Sequence, residues 1–289
     1  MVRKFGSHLA HPSGGFMLWA GLFVVVIGGV LLYLARKAAD RVLQMKATET
    51  STVSALRSLI DEVRKELGGG PSEWRDAVEL KGHVGCERPI QAEMSGQPAV
   101  VVRGSVVREV EELREEEDSD GNVTSRWVSR TETVNNTSLE TPFWLDDGTG
   151  KIDVRPGGAS FTLQKVVDRF EPAAQVQRGA SITFGSFSFQ APALSHRSSY
   201  RVKGYRFTEE ILPVGAKIYA LGEVSDTNDG TALHKPQDKS KAFLLSTKSE
   251  EEMVGAAESQ AKWMKIGGIA AIGLGVVLII FGALELVTG

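Results

Sequence analysis

Thiol is almost absent from this 289-residue chain, which has a single cysteine, Cys86. One cysteine excludes an internal disulfide framework and any zinc site built from several thiolates. The five histidines show no metal-ligand spacing, so no metal site is expected. An excess of basic residues is also missing: 33 Lys and Arg face 36 Asp and Glu, a net charge of −3. Broad nucleic-acid binding needs a basic face and is not expected. No glycine-rich phosphate loop, G-x-S-x-G elbow, H-E-x-x-H pair or deaminase signature occurs. The sequence therefore nominates no catalytic residue and no cofactor.

What is present begins with two long apolar blocks. The first, Phe16 to Ala35, runs twenty residues without a charge, with Trp19 and Tyr33 near its ends and Arg36 and Lys37 behind it. At 1.5 Å per residue it reaches about 30 Å, the thickness of a bilayer core. A cleaved signal peptide is the rival, but the run exceeds the usual apolar length and no small-x-small site follows. The second block, Ile266 to Leu286, follows Lys262, Trp263 and Lys265 and holds one charge, Glu285. Gly267, Ala271 and Gly275 fall four apart and form a candidate helix-pairing stripe, since small residues let helix backbones approach. Its partner is either the first span or another copy of the chain, which would make a homo-oligomer.

Between the blocks lie three kinds of pattern. Val53, Leu56, Leu59, Ile60, Val63 and Leu67 recur at helical spacing up to Gly68, which predicts an amphipathic helix. That helix either packs on its own domain or self-associates. From Val78 to Thr247 short apolar runs alternate with turn residues, as at Asp120-Gly121-Asn122, Asp147-Gly148-Thr149-Gly150 and Asn228-Asp229-Gly230. This predicts a mainly β domain, barrel- or sandwich-like, with one internal helix over Leu163 to Phe170. Ser249 and Glu252 then form a capping box for a helix that continues into the second span.

The expected layout is a tail (1–15), a transmembrane helix (16–35), a helical stalk (36–71), the β domain (72–248), a juxtamembrane helix (249–265) and a second transmembrane helix (266–287). Arg36, Lys37, Arg41, Lys46, Lys262 and Lys265 sit on the domain side of the two blocks. Basic flanks favour the cytoplasmic side, so a cytoplasmic central domain is expected.

Candidate sites compete with plainer readings. Eight carboxylates crowd Glu109 to Asp120. A solvated strand face explains them, and a docking strip for a basic partner, centred on Glu111, Glu112, Glu115, Glu116 and Glu117, is the sharper option. Asp146, Asp147, Thr149 and Asp153 surround a glycine turn but lack calcium-loop spacing, so a hairpin turn is expected. Asp118, Asp120 and Asn122 take the same reading. Cys86 has His83 three residues upstream but no third partner, and reads as structural. His196 with Arg197 and Arg201 suggests a basic loop.

Several landmarks then resemble one family. They are Leu80-Lys81-Gly82-His83-Val84, Ser95-Gly96, Trp127, Thr141-Pro142-Phe143-Trp144-Leu145-Asp146-Asp147-Gly148-Thr149-Gly150, Val154-Arg155-Pro156-Gly157-Gly158-Ala159, Glu209-Glu210-Ile211-Leu212-Pro213-Val214-Gly215, Tyr219-Ala220-Leu221-Gly222-Glu223 and Phe243 to Glu251. In order and between two spans, they resemble the GIDE or BAM ("beside a membrane") domain of MULAN-like membrane proteins. The resemblance implies a membrane protein of ubiquitin-ligase type, with bacterial members among its relatives. A RING requires two sets of four Cys/His ligands, which one cysteine cannot supply. The expected function is accordingly a membrane-anchored, non-catalytic scaffold or partner-recognition module in a bacterial inner membrane. The alternative is a substrate-presenting subunit of an enzyme completed in trans.

Overall fold

The computed structural model describes residues 14–68, 74–117, 121–173, 181–190, 199–227 and 230–288. Contacts divide the chain into two units: residues 1–47 with 250–289, and residues 48–249.

The first unit is an antiparallel pair of long helices, α1 (Gly14–Ala47) and α3 (Glu250–Thr288). Each is long and apolar enough to cross a membrane, with mean hydropathy of 2.4 and 2.5 over its most apolar stretch. α3 starts directly after Ser249, with Glu250, Glu251 and Glu252 in its first turn, where carboxylates favour the positive end of the helix dipole. Glycines set the contact. A Cβ on Gly21 would lie 2.7 Å from the Gly275 carbonyl oxygen, and one on Gly28 would lie 2.8 Å from that of Gly268. Buried small residues thus recur every seventh position, at Gly21, Gly28 and Ala35 on α1 and at Gly268, Gly275 and Gly282 on α3. A seven-residue repeat keeps one seam facing the partner along both helices. Lys46 closes the domain-side end with an ion pair to Glu258 at 2.6 Å.

The second unit is the mainly β domain. It opens with α2 (Val53–Glu66), capped by Thr52, whose side chain accepts the Ala55 N–H at 3.2 Å. Val53, Leu56 and Ile60 are buried in the domain core, so α2 packs on its own domain. The strands β1 (Arg75–Gly85), β5 (Phe143–Asp146), β6 (Lys151–Val154), β12 (Lys217–Thr227) and β13 (Gly230–His234) follow. Their pairings close a ring: β1 with β5, β5 with β6, β6 with β13, β13 with β12, and β12 back to β1. Only the β6–β13 contact within this ring is parallel. That order and that parallel pair are those of a five-stranded OB barrel. Leu80, Leu145, Leu233 and Leu245 fill the interior without solvent contact.

Two long insertions leave the barrel. The one between β1 and β5 carries β2 (Ile90–Gln91), β3 (Pro98–Glu117) and β4 (Val123–Glu140). The one between β6 and β12 carries β7 (Ser160–Thr162), β8 (Gln164–Pro172), β9 (Ser181–Phe184), β10 (Phe187–Gln190) and β11 (Tyr200–Pro213). β3 pairs with β4 on one edge and with β11 on the other, and β8 joins β11, so the insertions share a second sheet. β14 (Leu244–Ser246) returns to β12.

The helix expected over Leu163 to Phe170 is instead β8, hydrogen-bonded to β11. The register shifts between Glu209 and Glu210, leaving Val166 as an extra residue between Lys165 and Val167. A bulge of this kind breaks the two-residue alternation, so the apolar spacing imitates a helix. Two adjacent β-branched valines favour the strand.

Candidate functional site

The barrel strands corresponding to the second and third of an OB order, β5 and β6, expose a groove with α2 along its side. The groove has a volume of about 320 Å³, near the lower limit for ligand pockets. Leu56, Ile60 and Ile152 form an apolar floor, and Trp144 forms a wall. Alternation along β5 sends Phe143 and Leu145 inward and leaves Trp144 on the rim, opposite Asp153 in the β5–β6 register. The ring also fixes its neighbour, because a Cβ on Gly85 would lie 2.1 Å from the Trp144 indole nitrogen.

Four charged side chains ring the groove: Arg57, Lys151, Glu87 and Asp153. Lys151 holds its ammonium 5.1 Å from the centre of the Trp144 ring, and Arg57 donates to the Lys151 carbonyl oxygen at 2.6 Å. Among the described residues none of the four has an ion-pair partner, and all four are exposed. The groove therefore combines an apolar floor, an aromatic ring and both signs of free charge.

Its helical side is pinned by carboxylates at both ends. Asp147 accepts the first backbone N–H of α2, that of Val53, at 2.8 Å, and also the N–H groups of Thr149 and Gly150. Burial works against its charge, but these hydrogen bonds outweigh it and hold the carboxyl below the usual aspartate range. The Asp-Gly-Thr-Gly segment is the expected hairpin turn, and it also serves as a second cap for α2. At the other end Asp226, fully buried, accepts two guanidinium bonds from Arg64 and the Thr231 hydroxyl at 3.0 Å.

The five candidate docking carboxylates lie along the far half of β3. Glu111 faces Arg201 at 2.7 Å, Glu112 faces Arg130 at 3.1 Å, and Glu116 faces Arg126 at 3.1 Å. Arg201 also stacks 4.0 Å from the Trp127 ring. Three of the five are thus partly neutralised by neighbouring strands, while Glu115 and Glu117 stay exposed. Nearer the barrel Glu132 is held below the usual glutamate range by the Arg108 guanidinium at 3.0 Å. Asp118, Asp120, His196 and Arg197 lie outside the described residues.

Of the pairing stripe, Gly275 meets α1 directly, whereas a Cβ on Gly267 would lie 4.0 Å from a Leu31 methyl and Ala271 is half-buried. Cys86 follows β1 with its sulfur 3.7 Å from the Pro142 carbonyl oxygen. Among the described residues no group of three His, Cys, Asp or Glu side chains could hold a metal ion.

One pair has no signal in the sequence. Ser225 and His234, opposite strands of the β12–β13 hairpin, share a hydrogen bond of 2.6 Å, and His234 Nδ1 lies 2.9 Å from the Lys235 carbonyl oxygen. That carbonyl can only accept, so Nδ1 donates to it, and in the neutral ring Nε2 accepts the Ser225 hydroxyl. Ser225 is only 4% exposed within a strand. The pair therefore stabilises the hairpin rather than presenting a nucleophile.

Comparison with known proteins gives the context. Residues 111–279, more than half of the chain, match the GIDE family, described as E3 ubiquitin ligase. The chain belongs to the GIDE family. Two Arabidopsis thaliana proteins, the E3 ubiquitin-protein ligases SPL1 and SP1, are 25% and 27% identical to this GIDE protein. The matches cover 89% and 90% of the chain and 68% and 69% of the relatives. A Xenopus laevis mitochondrial ubiquitin ligase activator is 27% identical over 50% of the chain and 39% of its own length. These relatives are plant and animal proteins and lend no support to the expected bacterial origin. No solved structure matches the chain.

Proposed function

We propose that this GIDE protein is the membrane-anchored recruiting part of a ubiquitin-ligase-type assembly. In this reading α1 and α3 span the bilayer as a hairpin, and the β domain binds proteins to be modified. The observation that carries it is the family match running through the β domain into α3, joined to two long apolar helices that pack together. These 289 residues hold one cysteine, so RING chemistry comes from another polypeptide segment. The basic residues at the domain-side ends of the helices favour a cytoplasmic domain. Glu115 and Glu117 at the tip of the β3–β4 hairpin add an acidic contact that weakens with salt.

The test is a gain of function in nanodiscs. The full chain, supplied with activating and conjugating enzymes, ubiquitin and ATP, should conjugate nothing alone. With a RING segment fused beyond α3 it should ubiquitinate the proteins that co-purify with it. A fusion no more active toward them than the free RING overturns the recruiting role.

A further inference from the structure

The groove beside β5 and β6 deepens the recruiting role and rests on it. We propose that it binds an extended segment of a partner protein in which a basic and an acidic residue flank an apolar side chain. Three features lead there. The first is placement: OB barrels present ligands to the face formed by their second and third strands. In this domain that face carries Trp144 and Asp153, with Lys151 two residues from Asp153 on the same side. Residues two apart along a strand are about 6.6 Å apart, a spacing that suits alternate side chains, those on one face of an extended peptide.

The second feature is chemistry. Leu56, Ile60 and Ile152 line the floor, so the centre of the groove takes a hydrophobic side chain. Around it stand two cations, Arg57 and Lys151, and two carboxylates, Glu87 and Asp153. Balanced charge disfavours a phosphate backbone or an anionic lipid surface, which would meet two carboxylates. It suits a zwitterionic segment, whose carboxylate faces Arg57 and Lys151 while its cation faces Glu87 and Asp153. Trp144 supplies the large, rigid contact typical of protein interfaces.

The third feature is rigidity. Asp147 and Asp226 hold both ends of α2, and the barrel holds β5 and β6, so the groove is formed before anything enters it. A preformed site loses little entropy on binding.

The full chain in nanodiscs tests this by saturation-transfer NMR with blocked pentapeptides. One set places lysine and glutamate at the first and fifth positions and leucine, phenylalanine or tryptophan at the third, so that all three share a face, and the control set has serine at the first and fifth positions. The charged set should bind about tenfold more tightly, equivalent to about 1.4 kcal/mol. The double change Lys151→Glu with Asp153→Lys should remove that preference without moving the domain's melting temperature. Glu87→Trp, which fills the groove from its exposed rim, should abolish binding of both sets. Equal binding of the two sets, or a preference untouched by the double change, overturns the proposal. So does a concentration-dependent dimer lost only with Glu87→Trp, which would assign the groove to a second copy. Failure here with a RING fusion that still modifies co-purifying proteins would overturn the groove and leave the recruiting role standing.

Discussion

The helix pair and the β domain are held together by opposite means. Along α1 and α3 the large side chains point outward, with Phe23, Leu274 and Ile280 all more than half exposed, while glycines occupy the seam. In the domain the large side chains are inside, and Leu80, Leu145 and Leu233 have no solvent contact. The difference fits the proposed surroundings, lipid for the helix pair and water for the domain. Lipid is as apolar as leucine, so helices in it gain from close backbone packing rather than from hiding large residues. Water rewards burial of every apolar group, at about 25 cal/mol per Å². The domain's buried carboxylates extend the contrast, because Glu79, Glu209 and Asp226 are each matched by several hydrogen-bond donors.

The comparison breaks most sharply under matched substitutions. Leu145→Ala should cost the domain about 2–5 kcal/mol, read as a lower melting temperature by circular dichroism. Ile280→Ala, on the outward face of α3, should leave the helix pair intact in nanodiscs. Gly275→Leu reverses the pattern. Its side chain would meet the Gly21 carbonyl oxygen, 2.7 Å from a Cβ, and should drive the helices apart, as spin-label distances would report, without altering domain melting.

A smaller effect sits at Glu209, which is 1% exposed and accepts the Met94 and Ser95 N–H groups at 2.9 Å each. Glu209→Ala leaves both donors unmatched and should cost about 1–3 kcal/mol in chemical denaturation. The smallest effect concerns the α2 cap. Asp147→Asn keeps an accepting oxygen but loses the charge at the positive end of the α2 dipole, and should cost about 0.3–1 kcal/mol at neutral pH. The folded Asp147 carboxyl lies below its ordinary value, so its stabilisation is complete above about pH 4 and disappears as pH falls through the folded value. The native domain should therefore lose stability in that acid window, and Asp147→Asn should lose less there.

Much of this arrangement could be read from the sequence, because it depends on local signals. The apolar runs, the acidic first turn of α3, the amphipathic spacing of α2 and the turn residues at Asp147 and Gly230 act within a few residues. What escaped depends on partners distant in the chain. Within the second span alone the small residues Gly267, Ala271 and Gly275 fall every fourth position, whereas the seam repeats every seventh because it must match Gly21 and Gly28 on α1. The β8 bulge at Val166 disguised a strand, since only the β11 register reveals the extra residue. Ring closure through β1 and β12 joins residues more than a hundred positions apart. The groove was hidden for the same reason: Glu87, Trp144, Lys151 and Arg57 come from separate elements, and no local spacing connects them.

The most direct test of the account is the sidedness of the chain in sealed vesicles. With Cys86→Ser as background, single cysteines at Ser129 on the exposed face of β4 and at Gly289 beyond α3 are challenged with a membrane-impermeant maleimide. The hairpin of two spanning helices predicts that one site reacts in intact vesicles and the other only after permeabilisation. Equal labelling of both sites from the same side would contradict it.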